Sequence, residues 1–229
     1  MLFRSELYAG TRRQNDSHYE AINISGLAAN KLKLGEADEA VMAQLRSLTS
    51  AFTAVSARID RYRSYALIAI AHLRRGEIPQ ARQAALDALQ LIEASSPTAV
   101  YGLPGYADTA EAWLRLWESG DASAAEYATR AVRQLRRYTR VFLIGQPRLW
   151  ILQGTHDWLA NKQKSARAAW TKGLAAAQKL KMPYDEGLAH YEIGRHATGE
   201  EQQTHLKRAL EIFEALGARY DAGRVESEK

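Results

Sequence analysis

Four stretches of the sequence align with one another: GEADEAVMA from Gly35, GEIPQARQA from Gly76, GDASAAEYA from Gly120 and NKQKSARAA from Asn161. Each begins with Gly or Asn and has Ala at its sixth and ninth positions, and their starts are 41, 44 and 41 residues apart. Repeats of this length are typical of arrays of helix pairs, in which each unit buries its apolar face against its neighbour. The alignment therefore predicts an all-α chain built as a solenoid of helical hairpins.

The first residue of each stretch marks the end of a helix, because Gly and Asn adopt the left-handed conformation that often follows the last helical residue. A large apolar side chain lies three residues before each of these helix ends: Leu32, Leu73, Trp117 and Trp158. The two Ala of each stretch lie on one face of the next helix, where small side chains let two helices approach closely. We expect one set of Ala side chains to be buried at equivalent helix contacts: Ala40, Ala81, Ala125 and Ala166.

The repeat spacing predicts about five helix pairs within a single domain that covers residues 1–229. The first helices are expected at 18–34, 60–75, 105–119, 146–160 and 184–197. The second helices are expected at 36–56, 78–94, 122–142, 163–180 and 200–216. These pairs fill 18–216, so that 1–17 is predicted to be a helix of a preceding repeat and 217–229 the start of a truncated or capping helix.

Several kinds of chemistry lack support in the sequence. It contains no Cys, so a thiolate metal site and a Cys nucleophile are excluded. The motifs GxxxxGK[ST] and GxSxG are absent, and no two His are spaced to bind a metal from one helical face. We therefore predict no enzyme activity and no catalytic, cofactor-binding or metal-binding residues. The sequence also has neither a secretory signal nor a long apolar run, which predicts a cytoplasmic protein without a membrane partner.

Positive charge is concentrated in one part of the chain. Residues 130–181 contain seven Arg and five Lys against one acid, Asp157, although the whole chain has a net charge of only +5. Four arginines are predicted to share one helical face: Arg130, Arg133, Arg137 and Arg140. This face is interpreted as a solvated surface, a docking surface for an acidic partner or a nucleic-acid contact. Nucleic acid is the less favoured partner because no aromatic residues are interleaved with these arginines on the same helical face.

Four aromatic residues are candidates for partner contacts: Tyr106, Trp113, Trp117 and Trp150. Their helical spacing places them on first helices, which commonly line the binding groove of solenoids. Large aromatic side chains are enriched among residues that dominate binding energy. The same spacing is also typical of core residues packed between repeats, and this is the favoured interpretation.

Two connections are longer than the others. Residues 95–105 read SSPTAVYGLPG, and VFLIGQP from Val141 is apolar where a turn is usually polar. One interpretation is that Tyr101, Leu103, Phe142 and Ile144 fold back to fill gaps between repeats. The other is that these connections form a contact patch for another domain.

Five segments carry a resemblance to a known class of proteins: LYAGTRRQND, SSPTAVYGLPGYADTAEAWLRLWESG, RRYTRVFLIGQPRLWILQGTHDWLANKQKSARAAW, KLKMPYDEGLAHYEIGRH and HLKRALEIFEALGARYDAGR. They resemble the tetratricopeptide-like C-terminal repeat region of large bacterial signalling proteins. Those proteins combine an adenylate/guanylate cyclase domain, an AAA- or STAND-type ATPase domain and a helical-repeat tail. The resemblance implies a regulatory interaction role. The amphipathic start LFRSELYAGTRR suggests a fragment of a longer protein or a truncated reading frame, and the alternative is a stand-alone adaptor whose terminal helices act as caps.

The expected function is therefore a non-catalytic helical-repeat module that binds a protein partner or other domains of the same polypeptide. Such a module would transmit partner or ligand occupancy to catalytic domains elsewhere. The alternative is a nucleic-acid-associated or small-ligand-sensing repeat domain of a transcription regulator, which would use the basic segment 130–181.

Overall fold

The computed structural model describes residues 17–51 and 58–228, and these residues form eleven α-helices and no strands. In chain order the helices are α1 Ser17–Lys33, α2 Glu39–Ala51, α3 Arg58–Arg74, α4 Ile78–Glu93, α5 Leu103–Glu118, α6 Ala124–Thr139, α7 Gln146–Leu159, α8 Gln163–Lys179, α9 Pro183–Arg195, α10 Gly199–Ala215 and α11 Arg219–Glu226. Short 3₁₀ helices at Val100–Gly102 and Leu143–Gly145 precede α5 and α7. The prediction of an all-α fold is confirmed.

The observed helix bounds lie within three residues of the predicted ones wherever the described residues allow a comparison. The additional helix α11 lies in the segment 217–229, where a truncated or capping helix is predicted. The predicted helix at 1–17 and the end of the one at 36–56 fall largely outside the described residues.

The chain divides into two compact units. The first comprises Met1–Leu32 and Glu36–Ala112, and the second comprises Lys33–Gly35 and Trp113–Lys229. The boundary after Ala112 falls inside helix α5 rather than in a linker. A single domain over 1–229 stays a prediction.

Backbone hydrogen bonds close the helix ends as the aligned stretches predict. Six residues that follow described helices are left-handed: Gly35, Gly76, Gly120, Asn161, Lys181 and Gly217. Gly199, the first residue of α10, is left-handed as well. At the end of α3, the Gly76 N–H donates to the Leu73 carbonyl at 3.1 Å and the Glu77 N–H to the His72 carbonyl at 2.9 Å. This pair of bonds is the Schellman motif, which satisfies carbonyls that would otherwise lack a helical partner. The prediction that helices end in the left-handed conformation is confirmed at all four stretches.

The predicted burial of the aligned Ala holds in two stretches and fails in two. Ala81 and Ala166 are fully buried, whereas Ala40 is exposed and Ala125 is half-buried. In α2 the buried side chains are instead Val41, Met42 and Leu45, and in α6 they include Ala124 and Ala128. The expectation of equivalent burial was therefore wrong for Ala40 and for Ala125.

Connection length explains the difference in burial. Three residues separate α3 from α4 and α7 from α8, but five separate α1 from α2 and α5 from α6. In the longer connection before α2, the Asp38 carboxylate accepts a hydrogen bond from the Val41 N–H at 2.9 Å, so the helix begins late. In α4, Pro79 lies in the first turn, where its fixed backbone angle favours an early start. The later start changes which residues of α2 and α6 face the core.

Glycine provides close helix contacts that the Ala alignment misses. An added Cβ at Gly154 of α7 would lie 2.3 Å from the Trp170 ring of α8, and one at Gly194 of α9 would lie 2.9 Å from Leu206 of α10. The Trp170 indole N–H donates to the Ile151 carbonyl at 3.2 Å, which holds the ring over the Gly154 backbone. In these helix pairs, a missing side chain therefore contributes to the close contact in addition to any buried Ala.

We predict that Ala81→Leu destabilises the protein and that Ala40→Leu does not. Leucine at the fully buried position 81 overpacks the helix contact, which costs about 1–3 kcal/mol. The matched change at the exposed position 40 should alter the free energy of unfolding by less than about 0.5 kcal/mol. Urea unfolding followed by circular dichroism measures both values, and equal losses for the two variants would contradict the observed register.

We also predict that Lys181→Gly stabilises the chain. Lys181 has φ +53°, a left-handed angle that is unfavourable for a residue with a Cβ, and glycine there should contribute about 1 kcal/mol. The reverse change, Gly76→Ala, should cost about 1 kcal/mol, because a Cβ at Gly76 meets nothing within 4 Å and only the backbone angle opposes it. Melting temperatures that move in the same direction for both variants would count against this account.

Candidate functional site

Helix α6 separates apolar from basic side chains. Its buried residues include Ala128, Val132, Leu135 and Tyr138. Four arginines are spaced along the other side: Arg130 is half-buried, and Arg133, Arg137 and Arg140 are exposed. The structure therefore brings these four predicted candidates together on one face, as their spacing of three and four residues requires.

An aromatic residue accompanies this arginine face. The Tyr127 ring stacks on the Trp113 ring with 4.3 Å between centroids, and the Arg130 guanidinium lies 5.3 Å from the Tyr127 centroid. Tyr127 precedes the four arginines in the chain and contacts the first of them, so the expectation that no aromatic residue is interleaved among them is not contradicted. The spacing of three residues between Tyr127 and Arg130 is the sequence signal that identifies this pair.

The connection between α6 and α7 exposes three large apolar side chains. Val141 is 57% exposed, Leu143 62% and Ile144 43%. Phe142 turns inward and packs on Tyr138 with 5.0 Å between ring centroids. The interpretation that this connection fills a gap is thus supported for Phe142 and contradicted for Ile144.

The reason for the contradiction is local backbone geometry. The chain enters a 3₁₀ helix at Leu143, and the Gly145 N–H donates to the Phe142 carbonyl at 3.1 Å. This tight turn places Phe142 against α6, while the side chains on either side of it are exposed to solvent. We call Arg133, Arg137, Arg140, Val141, Leu143 and Ile144 together the α6–α7 surface.

The other long connection lies in the first unit and is packed more fully. Tyr101 and Leu103 are half-buried, which supports the gap-filling interpretation for this segment. The Arg63 guanidinium lies 5.7 Å from the Tyr101 centroid. A Cβ at Gly102 would lie 2.4 Å from the Tyr62 hydroxyl, so the backbone passes directly over that side chain. Val100 is the exposed apolar residue here, at 52%.

The predicted aromatic candidates fall into two groups. Tyr106 is 2% exposed and Trp113 is fully buried, which supports the core interpretation for both. Trp117 is half-buried and makes an edge contact with His156, with 5.6 Å between ring centroids.

Trp150 lies between two cations from neighbouring helices. The Arg136 guanidinium of α6 lies 5.9 Å from its ring centroid and the Lys172 ammonium of α8 lies 5.0 Å from it. Arg136 also donates to the Gln153 side-chain oxygen at 2.7 Å. Cations at this distance are attracted to an indole ring, so Trp150 keeps part of the basic segment folded against α7.

Acidic and basic side chains are also buried together in the second unit. Arg195 of α9 contacts Glu192 at 2.9 Å and Glu118 of α5 at 2.7 Å. Burial opposes ionisation of Glu192, but the charges of Arg195, Arg115 and Arg224 outweigh it and hold the pKa of Glu192 below its usual value. Compensated ion pairs of this kind account for the shift without a catalytic role.

Two histidines face each other between α9 and α10. Their Nδ1 atoms, one from His190 and one from His205, are 2.9 Å apart. Burial, followed by the neighbouring His205 and Arg208, lowers the pKa of His190 to about 4. Within 17–51 and 58–228 no group of three or more His, Asp or Glu residues is arranged to hold a metal ion.

No protein-family model matches the chain, and no curated protein is significantly similar to it. None of the helices that the structure describes is both long enough and apolar enough to span a lipid bilayer.

We predict that acid destabilises the protein through His190. Its pKa is about 4 when folded, but about 6.5 when unfolded, so the unfolded chain binds the proton more tightly. Stability should be unaffected by this group above about pH 6.5 and should fall as the pH drops towards about 4. The free energy of unfolding, measured across this range, should decline less steeply in His190→Gln. An unchanged slope in that variant would contradict the assignment.

Proposed function

We propose that this chain is a non-catalytic, tetratricopeptide-like interaction module with about five helix pairs. The recurring left-handed helix ends at Gly35, Gly76, Gly120 and Asn161 support the repeat architecture. Helix contacts between α3 and α4, between α7 and α8, and between α9 and α10 support pairing of consecutive helices. Repeats of this kind commonly serve as binding surfaces for other proteins.

The observation that carries the proposal is the α6–α7 surface. Leu143 and Val141 are both more than half exposed, although burial of such side chains is normally favourable. Exposed apolar side chains that lie close together and are bordered by polar groups mark sites of protein interaction. The exposed Arg137 and Arg140 supply such a border.

A regulatory role follows from the resemblance to the tails of bacterial cyclase and ATPase signalling proteins. In this role, a bound partner would favour one conformation of the module and thereby alter catalytic domains elsewhere. We propose that the module acts in the cytoplasm. The partner of the module is a protein or another domain of the same polypeptide.

A nucleic-acid-associated or ligand-sensing regulator is the second candidate, and the surplus of positive charge in 130–181 favours it. Tyr127 beside Arg130, and Trp150 between Arg136 and Lys172, add aromatic groups to that segment. However, one face of Tyr127 already stacks on Trp113, and Trp150 is half-buried. Base stacking needs open ring faces, so these contacts favour a protein partner.

We predict selective peptide binding by the folded chain. A library of random peptides is selected on the immobilised chain, and enriched peptides are synthesised and titrated in solution by fluorescence anisotropy. The proposal expects saturable binding with a Kd of about 1–100 μM, which is ordinary for a short segment on an interaction module.

The control is the same titration with heat-denatured chain, which should lose saturable binding. If no selected peptide saturates the folded chain, the proposed interaction function is wrong.

A further inference from the structure

We infer that the α6–α7 surface binds an acidic, amphipathic segment of a partner protein. In this assignment, apolar side chains of the partner cover Val141, Leu143 and Ile144, and its carboxylates approach Arg137 and Arg140. The inference rests on the proposed interaction function and adds the chemistry of the partner that the α6–α7 surface binds.

The local backbone conformation keeps the apolar side chains of the surface exposed to solvent. Phe142 occupies the inward position against Tyr138, so that place is not available to its neighbours in the chain. The 3₁₀ turn that begins at Leu143 directs the chain into α7, whose first turn contains Pro147. Leu143 and Ile144 thus keep exposures of 62% and 43% in a segment with regular backbone hydrogen bonds. A preformed apolar patch of this kind loses little conformational freedom on binding.

The arginines of the surface determine which charge the bound segment of the partner should carry. Arg133, Arg137 and Arg140 are exposed on α6 directly before the apolar residues. Asp157 is the one acid in residues 130–181, and it accepts a hydrogen bond from Gln153 at 2.8 Å and contacts His156 at 3.3 Å. The exposed arginines of this surface therefore favour an acidic segment over a basic one.

The combination of the two halves favours a protein segment over nucleic acid. A phosphate backbone would satisfy the arginines, but it offers no apolar side chains to cover Leu143 and Val141. A segment that alternates Glu or Asp with Leu, Ile or Phe offers both groups within a short length. Apolar contacts should therefore supply affinity, and the arginines should supply orientation and association rate.

The test combines the composition of the selected peptides with paired variants of the full chain. Arg137→Glu with Arg140→Glu reverses the charge of the surface, and Leu143→Ser with Ile144→Ser removes its apolar part. The matched controls are Lys207→Glu with Arg219→Glu, and Leu180→Ser with Leu216→Ser, which make the same changes at other exposed positions. Circular dichroism confirms that each variant keeps its helices.

The selected peptides should combine acidic and apolar residues. Each α6–α7 variant should weaken their binding by about tenfold or more, whereas each control should change it by less than about twofold. For the charge-reversed variant, the loss should appear mainly in the association rate and should shrink as salt rises. A basic version of the same peptides, with Lys in place of Glu, should bind poorly to the original chain and better to the charge-reversed one.

Two results would overturn this inference and leave the interaction function standing: saturable peptides that are basic or neutral, or acidic peptides whose binding is unaffected by both α6–α7 variants. If no peptide saturates the chain, the interaction function fails and this inference fails with it.

Titration with duplex DNA and single-stranded RNA supplies the remaining arm. For the duplex, the logarithm of the binding constant is plotted against the logarithm of the salt concentration. A slope near −0.9 per phosphate contacted, made shallower by the loss of Arg137 and Arg140, would assign the surface to nucleic acid instead.

Discussion

The left-handed helix end is the constraint on which the described structure depends. At the ends marked by Gly76, Gly120, Asn161, Lys181 and Gly217, one residue with positive φ lets two N–H groups reach back to helix carbonyls, whereas at Gly35 the Glu36 N–H does so. The bonds both stop the helix and reverse the chain within three to five residues. Consecutive helices must then pack against each other. Even Lys181 adopts this conformation, which shows that the turn overrides the preference of an individual residue.

Close packing of the paired helices depends on small residues, although not always on the same kind. Ala81 and Ala166 provide the close contact in two pairs, while Gly154 and Gly194 provide it where a Cβ would clash with a partner side chain. Because each arrangement leaves little room for a larger group, the helices have a defined register. The two extra residues in the connection before α2 alter that register and expose Ala40.

The same rules explain why the connection before α7 stands out. The other described helix ends expose isolated apolar residues such as Leu180 and Leu216, whereas this connection exposes three within four positions. Phe142 is the residue of this connection that packs on Tyr138, whereas Val141, Leu143 and Ile144 are exposed. These exposed apolar side chains beside exposed arginines are the observation on which the proposed partner-binding surface rests.

Local pattern was sufficient to predict the helices and their ends, because backbone hydrogen bonding and the conformational freedom of Gly and Asn act within a few residues. The arginine face of α6 followed from the same local periodicity. The burial of Ala40 and the orientation of Ile144 were not predictable in this way. The exposure of Ala40 depends on the length of the connection before α2, in which Asp38 accepts a hydrogen bond from the Val41 N–H. The exposure of Ile144 depends on Phe142, which packs on Tyr138 in its place. The contact between Gly154 and Trp170 likewise joins two helices, so only the tertiary structure decides it.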